Sequence, residues 1–424
     1  MSNGHATGDW NGRVRVVVTG LGAITPIGND VATAWSNCRE GVSGGGPVTL
    51  FDAAELPVRI AAEVKGFDAA AELGVKEARR SSRVIHFGMV AARQAAADSG
   101  LDIAAEQDDI GVLIGSGIGG LDVVEKASIV VKERGWRRVS PFTVPSLIPD
   151  MAAGMVAIDL GARGPNFAVV SACATGGHAL GEAAEIIRRG DAVAMLAGGT
   201  EAGITQVGIA AFAITQALSE RNNDPAGASR PFDKDRDGFL TGEGACVMML
   251  EELEHARARG ARIYGELVGY GATADAYHIT QPAEDGSGAV RSVRRALQRA
   301  GAEPRDIGYV NAHGTGTPLN DSSETRAFKT IFGEDAHTVP ISSTKSMTGH
   351  MLGAAGAFEA MVCLLAMRDG YLPPTINLET PDPECDLDYI PLVGREASPR
   401  LCLSTSFGFG GHNSALVLAG PPEN

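Results

Sequence analysis

Residues 164–197, GPNFAVVSACATGGHALGEAAEIIRRGDAVAMLA, decide the fold class. A β-rich run ends at Ser171, a glycine-punctuated turn carries Cys173, and an amphipathic helix runs from there to about Arg189. A buried strand, Ala192–Ala197, follows. Strand, helix and strand in close succession mark an α/β unit with helices packed on sheet. Toward the N-terminus, Ile110–Gly115 reads as a strand, Ser82–Ala97 as a helix and Arg15–Thr19 as a strand. The polar stretch Ser219–Gly238 is loop by composition.

Around residue 260 the pattern begins again. Ile263–Tyr270 reads as a strand, Gly288–Ala300 as a helix, Ile307–Asn311 as a strand and Gly353–Arg368 as a helix. Two last strands, Leu401–Thr405 and Ser414–Leu418, flank a glycine loop. The halves share a rhythm of elements without a repeat in identity. This predicts a duplicated α/β core, with a tail over 1–13, one half over 14–260 and the other over 261–424.

Composition narrows the function. The net charge of -15 argues against a nucleic-acid partner, which needs a broad basic surface. No stretch approaches the roughly 18 apolar residues of a membrane span. The opening MSNGHATGDWNGR has no apolar core and reads as a frayed tail, not a secretory signal. Six cysteines, at 38, 173, 246, 363, 385 and 402, form no CxxC pair. That spacing fits reduced thiols in a cytoplasm better than a disulfide framework or a zinc site.

Cys173 is the candidate nucleophile. A helix N-terminus stabilises a thiolate and lowers the thiol pKa. Its small neighbours leave room for an acyl group, and the turn can aim its backbone N–H at a developing oxyanion. The alternative is an inert buried thiol, the reading given to the other five cysteines. His313 and His350 lie in glycine loops directly after strands, where α/β sheets place their chemistry. Two neutral imidazole donors there can stabilise an enolate on a thioester oxygen; the alternative is a surface or structural role. His178 and His412 read as structural. Lys345 can orient or tune the histidines, against a snorkelling surface lysine. Glu359, flanked by apolar residues, needs a partner if buried.

Two motifs promise more than they deliver. Gly115–Gly120 (GSGIGG) fits GxGxxG, but no acid is clearly placed at the following strand end, so a nicotinamide site is not expected. Asp233 to Gly238 resembles the start of a calcium loop, yet position twelve is Gly244, so calcium is not expected either.

With these residues laid out, the chain resembles the elongating β-ketoacyl-acyl-carrier-protein synthases of the thiolase superfamily. The strings that carry the likeness are VVVTGLGAITPIGN, SPFTVPS, GPNFAVVSACATGGHALGEA, RPFDKDRDGF with GEGA, NAHGTGTP, SSTKSMTGHMLGAAGAFEA and SFGFGGHN. The resemblance implies a five-layered α-β-α-β-α fold and a triad of Cys173, His313 and His350, supported by a Lys345–Glu359 pair. It also implies an oxyanion hole from the N–H groups of Cys173 and Phe409, with the Phe409 side chain as a gate. Thr315 and Thr317 match positions that hold a phosphopantetheine arm, and Ile118 matches a pocket-lining position. Asn311, Glu359, Ser404 and Asn413 match a monovalent-cation site of some members.

No cofactor of its own is implied, because the acyl groups travel on acyl carrier protein. The family's dimers leave two arrangements open, a homodimer or a heterodimer with a chain-length factor. Non-catalytic chain-length factors lack the active cysteine, so Cys173 argues against that reading. Thr143 stands where many fatty-acid enzymes carry phenylalanine, HGTGT and the segment Asp382–Leu392 resemble polyketide ketosynthases, and His412 replaces a more usual threonine, so fatty-acid and type II polyketide elongation both stay open. An acidic carrier needs a basic patch, and Lys76, Arg79, Arg80 and Arg83 recur at helical spacing as its candidates.

Overall fold

A computed structural model describes residues 13–422. Ten strands form its main sheet: β1 (Val16–Ile24), β2 (Ile110–Gly115), β3 (Asn166–Phe167), β4 (Ala194–Glu201), β5 (Gly244–Glu252), β6 (Gly265–Ala274), β7 (Ile307–Asn311), β8 (Ile341–Ser342), β9 (Leu401–Gly408) and β10 (His412–Ala419). Their order is β8-β7-β9-β10-β6-β1-β5-β4-β2-β3. Counted inward from either edge, each half runs third, second, fourth, fifth, first. The duplication expected from the element rhythm is therefore a duplication of topology. The halves join where β1 and β6 run antiparallel, pairing Val17 with Glu266 and Val18 with Gly265.

Six helices cover this sheet: α1 (Arg83–Ser99), α2 (Met151–Leu160), α3 (Thr175–Arg189), α4 (Ser287–Ala300), α5 (Pro318–Phe332) and α6 (Ala355–Asp369). Alternate strand residues point to opposite faces, and three cores result. Ala194, Leu196, Val247 and Met249 pack outward with α1 and α2. Val310, Leu403, Ala415 and Val417 pack outward with α4 and α5. Between them Met195, Met248 and Leu250 of one half and Tyr309, Cys402 and Leu416 of the other close on α3 and α6. A helix enclosed on all sides must be apolar all round. In α6 every residue from Ala355 to Ala366 is buried, Glu359 included. The layers are helix, sheet, helix, sheet, helix.

Several boundaries differ from the expected ones. Residues 1–12 of the expected tail lie outside the described residues, while the Arg13 guanidinium pairs with Glu185 at 2.8 Å. The strand expected to stop at Ala197 continues to Glu201. The strand β5 and the helices α2 and α5 are additional to the elements read from the sequence.

One polar knot ties β1, β5 and the loop before β2. The buried Glu251 carboxylate accepts from Thr19 Oγ1 at 2.8 Å and from Arg259 Nε and Nη2 at 2.6 and 2.7 Å. His255 sits between Glu251 and Glu106, 2.7 Å from each. Burial opposes its charge, but hydrogen bonds to both carboxylates outweigh that and raise its pKa. A histidine raised in this way stabilises the fold fully below its unfolded pKa of about 6.5, and the benefit fades as pH rises through the folded value. His255→Gln is expected to lose about 1 kcal/mol at pH 6 and progressively less at higher pH, read from urea midpoints. A loss independent of pH would sink this account.

Candidate active site

The turn that carries Cys173 is a 3-10 segment, Ala172–Ala174, that runs straight into α3. Ala172 takes a positive φ of 49°, a conformation costly for a side-chain-bearing residue and frequent at functional turns. Of the six cysteines, Cys173 alone keeps part of its surface open. Its thiol pKa is pushed up to about 12 by burial. Lys345 pulls it down and Glu201 pushes it further up, while the backbone N–H groups of Phe409 and of Cys173 itself also pull it down. The depressed thiol expected from the helix N-terminus is thus corrected, because loss of water outweighs the favourable dipoles. At rest the Cys173 thiol is protonated.

The C-terminal half supplies the other side. Gly408, the last residue of β9, lies so close that a Cβ there would stand 2.5 Å from Ser171 O and 3.2 Å from Cys173 N. Phe409 follows it, so one N–H of the pair comes from each half of the chain. His178 on α3 bridges the same two loops. Its Nδ1 is 2.7 Å from Ser171 Oγ and its Nε2 3.2 Å from Asn413 O. A carbonyl only accepts, so Nε2 carries the hydrogen and Nδ1 accepts from the serine. This is the structural role expected for His178.

His313 and His350 are buried edge to face, with ring centroids 5.4 Å apart. Burial lowers both pKa values well below the ordinary range, and Lys345 lowers them further. Both rings are neutral. Leu352 N donates to His350 Nδ1 at 3.2 Å, which leaves the hydrogen on Nε2. The loop expected over 219–238 ends by cradling this histidine. Phe239 packs on its ring at 5.2 Å, and Leu240 O accepts from His350 N at 2.7 Å. Lys345, 1% exposed, ion-pairs with Glu359, so the snorkelling alternative is set aside. Burial raises the Glu359 pKa, opposed chiefly by Lys345.

The remaining expected residues divide. Thr315 and Thr317 meet hydroxyl to hydroxyl at 3.0 Å, and Thr317 also caps α5. Ile118 lines the loop after β2, its Cδ1 3.5 Å from where a Cβ on Gly203 would stand. Thr143 opens the short helix Thr143–Leu147, beside the exposed Phe142 and Val144 on the outside of the N-terminal half. Asn311 and Ser404 are paired neighbours on β7 and β9. Both polar atoms of Asn311 and Glu359 Oε2 lack a hydrogen-bond partner among the described residues. Asn413 does not direct its side chain there, because Nδ2 is 2.7 Å from Asp275 Oδ1 on the opposite face of β10. Asp233 of the calcium-like string is consumed by Arg230 and by the N–H groups of Asp235, Glu379 and Thr380.

The basic segment is not one helical face. Val75–Ala78 is a single turn, Lys76, Arg79 and Arg80 are exposed, and α1 starts afresh at Arg83. Arg83 turns inward to the buried Glu243, with Nε 2.8 Å from Oε2, so its charge is not presented to a partner. Two buried carboxylates were missed in the sequence reading. Glu324 accepts from the N–H groups of His313 and Gly314 at 2.8 Å each, and burial pushes its pKa up to about 7. Glu201 does similar work beside Cys173. The available signal was an acid among small residues, GGTE and SSET, where no surface is due.

The chain is similar to solved structures of ketosynthases. The ishigamide ketosynthase/chain length factor shares 34% identity over 96% of this chain and 99% of its own, with a TM-score of 0.90. A β-ketoacyl synthase from Burkholderia phymatum STM815 shares 35% over 96% and 99%, with a TM-score of 0.89. These likenesses set the class, the thiolase-fold ketosynthases. The chain belongs to the β-ketoacyl synthase family: the family's N-terminal domain matches residues 13–256 and its C-terminal domain residues 264–379. Among curated proteins, 3-oxoacyl-[acyl-carrier-protein] synthase 2 of Synechocystis is 54% identical over 95% of this chain and 97% of its own length. The protein of the same name from Staphylococcus aureus strain MRSA252 is 52% identical over 96% and 98%.

Proposed function

We propose that this chain elongates acyl chains held on acyl carrier protein by decarboxylative condensation with malonyl carrier. The observation that carries the reading is the Cys173 turn packed against the Gly408 loop of the other half, together with two buried imidazoles whose ring centroids are 5.4 Å apart. The N-terminal half, 14–260, brings the nucleophile, and the C-terminal half, 261–424, brings the histidines.

In the first half-reaction the Cys173 sulfur attacks the carrier thioester while its proton leaves for the departing phosphopantetheine thiol. The tetrahedral oxyanion sits against the N–H groups of Cys173 and Phe409, and collapse leaves an acyl thioester on Cys173. In the second, malonyl carrier loses carbon dioxide. The electron pair of the broken bond becomes an enolate, whose oxygen accepts N–H bonds from His313 and from His350 Nε2. The enolate carbon then attacks the Cys173 thioester, and collapse through the same oxyanion hole yields β-ketoacyl carrier and the Cys173 thiolate, which takes one proton from solvent to restore the thiol. Charged imidazoles are not needed for this, and their burial keeps them neutral. Phe409 serves as the gate and Lys345 with Glu359 as the charged support. Thr315 and Thr317 hold the pantetheine arm, while Ile118 shapes acyl selection; Thr143, on the outside of the N-terminal half, is not assigned to the pocket.

Fatty-acid elongation is favoured over polyketide assembly, because the 52–54% identical relatives are named 3-oxoacyl-[acyl-carrier-protein] synthase 2, whereas the chain-length-factor systems are more distant. A homodimer is the simpler assembly. The outer strand β3 is open along one side, with Phe167, Val170, Ile129 and Ile158 exposed in the same half. No helix among the described residues is long and apolar enough to cross a membrane, and we assign the enzyme to the cytoplasm. Asn311 Oδ1, Glu359 Oε2 and Ser404 fit a monovalent cation, which would supply a fixed positive charge behind the histidines.

Carrier docking is assigned to Lys76, Arg79 and Arg80. Reversing Lys76 and Arg79 to glutamate is expected to raise KM for carrier-bound substrate about tenfold, a difference that shrinks as salt increases. An unchanged KM at low salt would move the docking surface elsewhere. The function itself is tested by giving the purified chain hexanoyl and malonyl carrier proteins and following products by intact-protein mass spectrometry. Condensation by the chain alone is expected. Acylation without condensation would point to a missing partner subunit, and no acylation at all would overturn the reading.

A further inference from the structure

The two central helices are built alike. Each spans fifteen residues and ends on a left-handed glycine, Gly190 for α3 and Gly370 for α6. Each is entered through a three-residue 3-10 turn, Ala172–Ala174 or Leu352–Ala354. Each turn opens on a side-chain-bearing residue with positive φ, 49° at Ala172 and 46° at Leu352. Matched turn to turn, Gly353 is the counterpart of Cys173.

The surroundings of the two positions differ in one respect. At Cys173 the turn's N–H is the one assigned to the oxyanion hole. At Gly353 the equivalent N–H is already occupied: Glu201 Oε2 accepts from it at 3.1 Å and from Gly117 N at 2.8 Å. The other oxygen accepts from Ser116 Oγ at 2.7 Å and from Ile118 N at 3.3 Å. A Cβ on Gly353 would stand 2.6 Å from Gly117 N and 2.9 Å from Glu201 Oε2. The carboxylate thus fills the place that corresponds to the nucleophile's own surroundings. The strands agree with this match: β4 and β9 are both eight residues long, and Glu201 ends one as Gly408 ends the other.

Glu201 is completely buried, and each of its four bonds comes from a neutral donor. A carboxylate buried without a cation is costly, and four converging donors are what make it tolerable. Those donors belong to two functional loops. Ser116, Gly117 and Ile118 form the loop behind the acyl group. Gly353 adjoins Leu352, whose N–H fixes the His350 tautomer.

We propose that Glu201 is a positioning residue, an internal carboxylate that sits on the counterpart of the Cys173 N–H and locks the Leu352–Gly353 turn to the Gly117–Ile118 loop. This deepens the condensing-enzyme reading and rests on it for the role of His350. Losing the lock loosens the histidine that meets the enolate, while Cys173 keeps its own N–H pair. The second half-reaction therefore suffers more than the first.

The test compares Glu201→Gln, which preserves shape but turns an amide N–H2 toward N–H donors, with Glu201→Ala, which removes the carboxylate. Malonyl decarboxylation and condensation are expected to slow on the order of a hundredfold in both, the scale of a small displacement of a catalytic group. Cys173 acylation is expected to stay within a few-fold of the parent, and amide exchange at Leu352–Gly353 to quicken. Added formate is expected to restore Glu201→Ala, whereas chloride at equal strength is not. Parental decarboxylation rates in both variants would overturn the proposal. So would equal losses in both half-reactions, or a folded Glu201→Ala that formate does not help. If Glu201→Ala does not fold, the rates and exchange of Glu201→Gln decide alone. A parent chain that never acylates Cys173 would overturn the enzymatic reading instead; unchanged exchange in Glu201→Gln would still overturn the anchoring, and faster exchange would uphold it.

Discussion

Cys173→Ala is expected to reduce β-ketoacyl product by at least about 10³-fold, into the background of the assay. No neighbour can replace the sulfur, because the other five cysteines are buried. The variant is expected to fold normally, since alanine fits a turn already lined by Ala172 and Ala174. Malonyl decarboxylation need not vanish with it, because the neutral His313 and His350 remain. A mass spectrum that shows carrier-derived acyl groups on the alanine variant would refute the nucleophile assignment. Because burial holds the resting thiol near a pKa of about 12, alkylation of Cys173 by iodoacetamide is expected to be slow at pH 7 and to accelerate with rising pH. Fast, pH-independent alkylation would show a thiolate already present.

Lys345→Met is expected to be the most destabilising single change at the site, costing about 3–5 kcal/mol. The methionine replaces the apolar stem but leaves the Glu359 carboxylate buried with no cation. The carboxyl can escape only by taking up a proton, and burial already raises its pKa. A carboxyl raised in the folded state favours folding at low pH and disfavours it as pH climbs above the unfolded value of about 4.3. The stability gap between parent and variant should therefore widen from about pH 4 upward, measured by denaturant unfolding. Adding Glu359→Leu removes the stranded charge and is expected to return most of the loss, though not activity. A gap that does not depend on pH, or a double variant no more stable than Lys345→Met, would contradict the buried-pair account.

The sequence reading reached the fold where periodicity was strong and missed it where burial erased periodicity. The helix ending at Arg189 and the strand Ile110–Gly115 were legible because charge or glycine marks their limits. The strand β5 was not, because both of its faces are buried and its GACVMML run shows no alternation. Glycines 198 and 199 follow the expected strand end at Ala197, yet they lie inside β4. A Cβ at Gly198 would meet Cys246 O, and one at Gly199 would meet Gly353 O, each at 2.0 Å. Glycine there signals close backbone approach, not a turn. At the site, residue types and loop positions were legible, whereas partners were not. Burial decided the direction of the Cys173 pKa, Glu243 claimed Arg83, and Asp275 claimed Asn413.

The proposed oxyanion pair draws one N–H from a turn early in the chain and the other from the loop between β9 and β10. During synthesis the N-terminal half emerges first, with its thiol but without Phe409, His313 or His350. Larger chains fold unit by unit in that order. A nascent or truncated chain thus holds a cysteine that cannot yet bind and turn over a thioester. On the proposed mechanism reactivity requires the last strands to dock, so catalytic competence would double as a report that the whole molecule has been assembled.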